Sequence, residues 1–333
     1  MSVWATVDHL LDRAEDPAAL RAHGVQLLAA RRWRATGRPV PAALLADERS
    51  AAIATLAVPV LLARVRAALN GPIVLLKGPE VAARYPDPAL RPLGDLDLLV
   101  PDAPAAERTL RAVGFEPAEG EQTAARQPHQ PPLRWPTSPL RVELHHTLPV
   151  PAWCRPPPAD QVLAAAVPAA IGDGILTLPP AAHALLLAGH AWVHYGPRPR
   201  LRDLVDVAVM TDGLDPAEMA DLARTWDLPR VWQATAGAVA ALCCSLDPSS
   251  TPWRRWVTPV PVIRERTVAQ EHLVRWLGAF WAPSPRAVPR AVVLTVGRDL
   301  RPLPGEAWST KLPRMGQTVR SALAPGSRPN RSG

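Results

Sequence analysis

The chain has 333 residues, of which 48% are apolar and 20% are charged, and its net charge is +7. This much apolar material supplies a sizeable core and excludes disorder along the whole chain. The positive excess lies at one end, because residues 250–333 hold 14 basic and 4 acidic side chains. Lys77 and Lys311 are the only lysines, and so much arginine beside abundant Ala and Pro indicates GC-rich codon usage. Nucleic-acid binding is therefore not favoured.

The first seventy residues predict helices. Leu10, Leu11 and Ala14 recur at helical spacing, and residues 42–69 are rich in Ala and Leu. Asn70-Gly71-Pro72 then breaks the pattern and marks the start of a new element. We therefore predict an N-terminal helical segment over residues 1–70.

A small core containing strands is predicted over residues 71–150. The apolar run at 73–76 predicts a buried strand, and Pro79-Glu80 predicts the first turn of a short helix. The stretch 115–139, rich in Pro, Gln and Glu, predicts a loop with at most poor strands. Further elements follow from the same patterns: strands at 95–100, 141–148 and 175–178, and a helix at 103–113 ended by Gly114.

From Pro180 onward the pattern is helical, with a proline-bearing joint at 246–261. We predict a helical C-terminal region over 151–323 and a disordered basic tail over 324–333. The fold class that follows from these elements is α+β. The individual helices are predicted at 181–195, 201–211, 216–226, 229–245 and 262–280.

The cysteines and the apolar runs help to predict the cellular compartment of the protein. Cys154 stands alone and Cys243 adjoins Cys244, so neither a disulfide framework nor a zinc knuckle is expected. The N-terminus has no basic start and no apolar signal core, which predicts a cytoplasmic protein. The longest apolar candidate, 231–244, is too short for a membrane span, so we expect no membrane partner.

Asp95-Leu96-Asp97 is the motif on which the functional argument depends. The pattern is weak alone, since about one Asp-x-Asp is expected from composition. Within a strand, however, Asp95 and Asp97 project from one face while the intervening leucine is buried on the other. Two adjacent carboxylates need a compensating cation, and oxygen-rich sites of this kind suit Mg²⁺.

The segment Arg141–His145 shows the same alternation and places Glu143 and His145 on one face. If this strand lies beside 95–100 in the same orientation, Glu143 becomes a third carboxylate at the metal site. Three such groups fit one- or two-metal phosphoryl or nucleotidyl transfer. His145 would then contact phosphate or carry a proton, whereas His146 points the other way and is interpreted as structural. The alternative is a solvated strand edge at which Glu143 pairs with Arg141.

The residues upstream favour the metal site. Lys77 and Gly78 end one strand and open a helix, where backbone N–H groups and an ammonium would face an anion. Arg91 stands four residues before Asp95, placed to reach a phosphate from the loop.

Together these motifs resemble a known family. The strings LLKG (75–78), RPLGDLDLLV (91–100), GF (114–115) and VELH (142–145) look like the uncharacterised nucleotidyltransferases of the polymerase-β-like superfamily. The helical part, with HALLLA (183–188) and LRDLVD (201–206), is similar to the C-terminal half of the same family. The resemblance spans about 75 residues directly, and the combined set is more specific than its pieces.

The resemblance implies a mixed-sheet nucleotidyltransferase core with Asp95, Asp97 and Glu143 as metal ligands. It implies Mg²⁺, with two ions, and an NTP as co-substrate; Lys77, Gly78, Arg91 and His145 would bind the nucleotide. The acceptor stays open between a small molecule, a peptide and a protein side chain.

One departure separates this chain from the wider superfamily. The usual Gly-Ser phosphate-binding pair is missing, and Lys77-Gly78 stands in its place. This departure motivates an alternative, a nucleotide-binding or scaffold protein of the same fold without turnover. A third hypothesis, nucleic-acid binding through residues 250–333, is less favoured.

The C-terminal region offers further polar candidates. His183, His190 and His194 lie near one face of a helix, where packing at a helix interface is favoured over metal binding. For Arg202 and Asp206 we predict an (i, i+4) ion pair, favoured over contact with substrate. The tryptophans are predicted to pack the C-terminal helices.

Overall fold

The computed structural model describes residues 3–118, 129–196, 199–244, 276–300, 302 and 307–323. Helices and a mixed sheet occupy these residues, which confirms the α+β fold class. Two predictions, the joint at 246–261 and the tail at 324–333, lie outside the described residues. So does most of the helix expected at 262–280; of its described residues, 276–278 are helical, and a 3-10 turn, Ala279–Trp281, follows them.

Helices fill the first seventy residues, as predicted. Their bounds are α1 Val3–Asp12, α2 Pro17–Ala22, α3 Gln26–Ala35 and α4 Ala42–Ala68. By length and composition α4 is long and apolar enough to cross a membrane, the one such helix among the described residues. It is longer than the apolar run at 231–244. Val58 and Leu62 of α4 are buried and pack against the sheet, whereas Ile53, Leu56 and Val60 are more than half exposed.

Seven short strands form one mixed sheet in the described part of the chain, in the order β3-β4-β5-β2-β1-β7-β6. Strand β2 lies antiparallel to β1 and parallel to β5, and β1 lies parallel to β7. The outer pairs β3–β4 and β6–β7 are antiparallel. The bounds are β1 Val74–Leu75, β2 Asp95–Leu99, β3 Glu116–Pro117, β4 Leu133–Arg134, β5 Arg141–His145, β6 Val167–Pro168 and β7 Leu176–Thr177.

Two short helices connect the central strands. Helix α5 (Pro79–Ala82) follows β1, and α6 (Ala103–Ala112) follows β2. The carboxylate of Asp102 accepts a hydrogen bond from the Ala105 N–H at 2.9 Å and caps α6 directly after the strand. This cap stands three residues after the end of β2 and fixes where α6 begins.

Each sheet face is covered by a different hydrophobic core. The α4-side core takes Leu96 and Leu98 of β2 together with Val142 and Leu144 of β5. The core on the opposite face, which lies toward helix α8 (Pro180–Tyr195) and is called the α8-side core, takes Leu99 and is built mainly from helices. Because side chains alternate along a strand, the acidic residues of β2 and β5 face the α8 side.

The C-terminal region is helical, as the periodicity predicts. Its helices are α7 Ala159–Ala165, α8 Pro180–Tyr195, α9 Leu201–Met210, α10 Pro216–Thr225, α11 Pro229–Cys244, α12 Val288–Leu300 and α13 Trp308–Leu323. Helices α7, α12 and α13 and strand β6 had no counterpart among the predicted elements. The rings of Trp281 and Trp192 lie 5.3 Å apart, which places one of the tryptophans against α8.

Candidate active site

The parallel pairing of β2 with β5 creates the site. Asp97 lies directly opposite Glu143, and Asp95 lies opposite Arg141. The prediction of Glu143 as a third carboxylate required the two strands to run in the same direction, and they do. Opposed residues on neighbouring strands have Cβ atoms about 5 Å apart, so the two acidic side chains share one patch of the sheet.

Three side chains converge at this patch. Asp97, Glu143 and His145 each offer one ligand atom, and these atoms all lie within 4.8 Å of one another. The Nε2 of His145 donates to Asp97 Oδ1 at 3.0 Å and lies 3.8 Å from Glu143 Oε2. Asp97 and His145 are each 1% exposed. The expected set of Asp95, Asp97 and Glu143 thus differs from the one observed, since His145 takes the place expected for Asp95.

Lys77 connects Asp95 to the buried group. Its Nζ lies 2.7 Å from Asp97 Oδ2 and 3.4 Å from Asp95 Oδ1. The side chain of Asp95 is 32% exposed, compared with 2% for that of Asp97. Asp95 therefore stands at the rim of the site, and the lysine lies between the two aspartates as a built-in cation.

These contacts determine the ionisation of the buried pair. Burial alone would raise the pKa of Asp97, but the Lys77 ammonium and the His145 hydrogen bond hold it well below its usual value. Burial would lower the pKa of Lys77, yet Asp95, Asp97 and Glu143 raise it above its ordinary range. Both groups are charged at neutral pH.

Gly78 allows the chain to turn beneath this lysine. Its φ is +85°, a conformation that residues with a side chain rarely adopt. A Cβ built at this position would lie 3.7 Å from the carbonyl oxygen of Asp95, so the backbone passes close to β2. The Lys77–Gly78 segment thus lies against the site, as the sequence predicted.

Arg91 has a different setting from the one expected. Its guanidinium donates to both carboxylate oxygens of Asp206, at 2.9 and 2.8 Å, and Tyr85 Oη donates to the same carboxylate at 2.7 Å. The Arg91 and Asp206 side chains are only 6% and 3% exposed. This placement argues against direct contact with a phosphate and makes Arg91 a brace between the β2 loop and α9.

The predicted (i, i+4) pair between Arg202 and Asp206 is wrong for the same reason. Both oxygens of Asp206 are taken by Arg91 and Tyr85, while Arg202 lies 3.7 Å from Asp203. Helical spacing identified a buried acidic residue correctly but assigned it the wrong partner. The true partner is 115 residues away in the chain, beyond the reach of any local pattern.

Two histidines near the site were missed or undervalued by sequence reasoning. His129 Nε2 lies 3.7 Å from Glu143 Oε2, but no motif includes this residue. His190 of α8 is partly buried, and burial, Lys77 and the neighbouring His194 lower its pKa well below the usual value. The action of Lys77 and Asp97 on His190 places α8 beside the site. The sequence shows that the three histidines of α8 lie near one face of the helix, but it does not show what that face packs against.

The donor set is suited to a divalent cation. Asp97 and Glu143 supply two carboxylates, Asp95 lies at the rim, and His145 supplies a ring nitrogen. Carboxylates fit Mg²⁺, and imidazole suits transition metals.

Comparison with known proteins agrees with this geometry. The sequence model that defines a family of uncharacterised nucleotidyltransferases matches residues 17–244, about two thirds of the chain. The chain belongs to this family. Neither a curated protein nor a solved structure matches it. The match begins in the N-terminal helices and ends with α11, so the family unit includes the helices on both sides of the sheet.

Proposed function

We propose that the protein is a cytoplasmic Mg²⁺-dependent nucleotidyltransferase. It moves a nucleoside monophosphate from an NTP to a hydroxyl-type acceptor and releases pyrophosphate. The observation that carries the proposal is the pairing of Asp97 with Glu143 on adjacent parallel strands, in a chain of a nucleotidyltransferase family.

Each side chain of the site has a role in this proposal. Asp95, Asp97 and Glu143 would hold the metal ions, two in number, and such ions would stabilise the triphosphate charge and acidify the attacking hydroxyl. Lys77 and the Gly78 backbone lie beside these carboxylates and neutralise the triphosphate. Glu143 is either the third metal ligand or the base that receives the proton of the acceptor, and His145 holds a proton at Nε2 toward Asp97.

The acceptor approaches from the α8 side of the sheet. The acidic residues project toward that side, and His190 of α8 lies within electrostatic reach of Lys77 and Asp97. The acceptor is a small molecule, a peptide or a protein side chain. A hydroxyl of any of these suits the chemistry, because removal of its proton acts on the oxygen alone and requires no contact with the rest of the acceptor.

Mass spectrometry of acceptors incubated with each NTP tests the reaction and the site together. Wild-type protein is expected to add a nucleoside monophosphate to the acceptor, or to itself. Asp97→Asn keeps the shape of the side chain but removes its charge, so we expect the rate to fall by about two orders of magnitude or more. Asp212→Asn, at an exposed position after α9, is the matched control and should retain the wild-type rate. Equal mass increments with wild type and Asp97→Asn would remove Asp97 from the catalytic role.

A second candidate is a nucleotide-binding protein that does not turn over. Two observations favour it: the missing Gly-Ser pair, and the Lys77 ammonium at 2.7 Å from Asp97, a neutralising charge already in place. Isothermal titration with Mg²⁺ and each NTP, run beside a pyrophosphate-release assay, separates the two functions. Binding with no release across a panel of acceptors favours this candidate, and release that depends on Asp97 ends it.

A further inference from the structure

The metal-ligand group of this site contains a histidine as well as carboxylates. Among the described residues, Asp97, Glu143 and His145 form the group whose ligand atoms lie within 4.8 Å of one another. Two ligands bound at right angles to an ion, with bonds of about 2.1 Å, stand about 3 Å apart. The Nε2 of His145 is 3.0 Å from Asp97 Oδ1 and 3.8 Å from Glu143 Oε2, so only a small closure is needed.

His145 is held in place for this role. Its side chain is 2% exposed, and it ends the strand β5 that also carries Glu143 two residues earlier. Strand pairing sets the direction of both side chains, so the nitrogen and the carboxylate arrive at Asp97 from one rigid element.

A second imidazole lies behind the first. The Nδ1 of His129 is 2.7 Å from the carbonyl oxygen of Gln130, and since a carbonyl cannot donate, this nitrogen carries the proton. The other ring nitrogen, Nε2, lies 3.7 Å from Glu143 Oε2. A backbone carbonyl that fixes the tautomer in this way is a common feature of metal-binding histidines. The His129 and His145 ring centroids are 5.2 Å apart.

Lys77 occupies the opposite side of Asp97. Its Nζ contacts Oδ2 of Asp97, whereas His145 contacts Oδ1. The Oδ2 side, toward Asp95, therefore already has a cation, and the Oδ1 side is where a metal ion would meet Glu143 and His145. The two sides of one carboxylate are thereby chemically different.

We propose that the Asp97–Glu143–His145 position takes a divalent transition-metal ion in preference to Mg²⁺, with His145 Nε2 as a direct ligand. The proton that Nε2 donates to Asp97 would then move to Nδ1 of the same ring, which leaves the Nε2 lone pair for the metal. Imidazole nitrogen suits transition-metal ions such as Zn²⁺ or Fe²⁺, whereas Mg²⁺ prefers an all-oxygen shell. Mg²⁺ then serves the triphosphate at the Asp95 side. The inference extends the proposed function to the identity of its metal, and its tests measure binding without turnover.

Mn²⁺ alone is the probe. Pulsed electron paramagnetic resonance of the whole protein with one equivalent of Mn²⁺ should show a coupled ¹⁴N nucleus, the signature of a bound imidazole. Isothermal titration should give a dissociation constant for Mn²⁺ at least about tenfold below that for Mg²⁺. Absence of ¹⁴N coupling, or equal affinity for the two ions, would overturn the proposal. Either result would leave the nucleotidyl-transfer assay with Mg²⁺ unaffected, so the two proposals fail separately.

Three variants identify the residue that gives rise to the ¹⁴N coupling. His145→Gln should abolish the ¹⁴N coupling and weaken Mn²⁺ binding by about tenfold or more. His146→Gln is the matched control, because His146 is adjacent in sequence but exposed, and it should leave both unchanged. Glu143→Gln, which keeps the imidazole, should weaken Mn²⁺ binding while retaining the coupling. Unchanged ¹⁴N coupling in a folded His145→Gln protein would show that His145 is not the nitrogen ligand. If that variant does not fold, the measurement on the wild-type protein decides whether a histidine binds the ion.

Discussion

Asp97 is a fully buried carboxylate whose charge depends on two neighbours. Lys77 contacts one of its oxygens at 2.7 Å and His145 contacts the other at 3.0 Å. A buried charge that loses its partner costs far more than the intact pair contributes. The stability of this site therefore depends on whether the lysine is present.

Removing the Lys77 ammonium should destabilise the whole protein. Lys77→Met leaves Asp97 with the hydrogen bond from His145 but without its cationic partner, and we expect a loss of about 3–5 kcal/mol in the free energy of unfolding, measured by urea denaturation. Adding Asp97→Asn to that variant should restore much of it. Arg34→Met is the comparison, since its partner Glu48 forms an exposed pair and the loss should stay below about 1 kcal/mol. Similar losses for the two single variants would contradict this interpretation.

His183 should make stability fall in mild acid. It is 1% exposed, and burial followed by the charge of Arg91 lowers its pKa from 6.5 to about 4. The unfolded chain takes up a proton below pH 6.5 but the folded chain does not until about pH 4, so stability decreases as the pH falls between these values. The full effect is about 3 kcal/mol.

Urea denaturation of wild type and His183→Leu at pH 7 and pH 4.5 measures this contribution. The variant should lose less stability between the two values than wild type, because it has no imidazole to protonate. Parallel losses would show that His183 is protonated without cost in the folded protein.

Residue-level prediction from the sequence succeeded where alternation determined the outcome. The face shared by Asp97 and Glu143 followed from the period of a strand, and β5 does lie beside β2 in the same orientation. The sequence did not predict that Asp95 is more exposed than His145. Burial depends on how far Lys77 and α8 cover each end of the strand, which alternation does not determine. The partner of Arg91 could not be read at all, since it lies in α9.

At the level of elements, the Arg91–Asp206 pair joins the loop before β2 to α9. Both partners are almost completely buried, and Tyr85 completes the set of hydrogen bonds on the carboxylate. The pair fixes the position of α9 relative to the strand that carries the site. Its loss should therefore affect both stability and site geometry.

A double-mutant cycle tests this brace. Arg91→Met should lower the free energy of unfolding by about 3–5 kcal/mol, because it leaves the buried carboxylate of Asp206 without its cationic partner. Asp206→Leu added to it should recover most of that loss, giving a large coupling energy between the two positions. Additive losses would show that the two side chains act independently. Arg32→Met, which breaks an exposed pair with Asp12, is the control and should cost about 1 kcal/mol or less.

Helices were easier to predict than strands, for a physical reason. The helices of the first seventy residues and of 180–244 carry an apolar stripe over several turns, which gives periodicity many residues to act on. Strands β3, β4, β6 and β7 have two residues each, too few for alternation to be recognised. Their existence depends on pairing with neighbours, which is a tertiary property.

At the scale of the whole molecule, the sheet is shared between two cores. Val74 and Leu76 pack in the α8-side core, whereas Ile73 and Leu75 pack in the α4-side core. Because the α8-side core draws on helices from both ends of the family unit, the strands that carry the site have no complete core of their own.

A fragment of residues 71–150 should therefore not fold alone. It would expose Val74, Leu76 and Leu99 and would lack β7, the second neighbour of β1. We expect poor amide dispersion in its NMR spectrum and no cooperative thermal transition. A chain of residues 3–244, which keeps both cores, is the control and should unfold cooperatively. A cooperative transition in the short fragment would show that the 71–150 segment is an autonomous domain.

The pairing of β1 with β7 has a consequence for biosynthesis. Leu75 accepts a hydrogen bond from the Thr177 hydroxyl, 102 residues later in the chain. On the ribosome, β1 emerges long before the strand that closes its open edge, and during that interval its apolar residues and unpaired backbone groups face solvent. The nascent chain thus passes through a stage at which a chaperone has a clear segment to bind, and translation speed between β1 and β7 should influence the yield of folded protein.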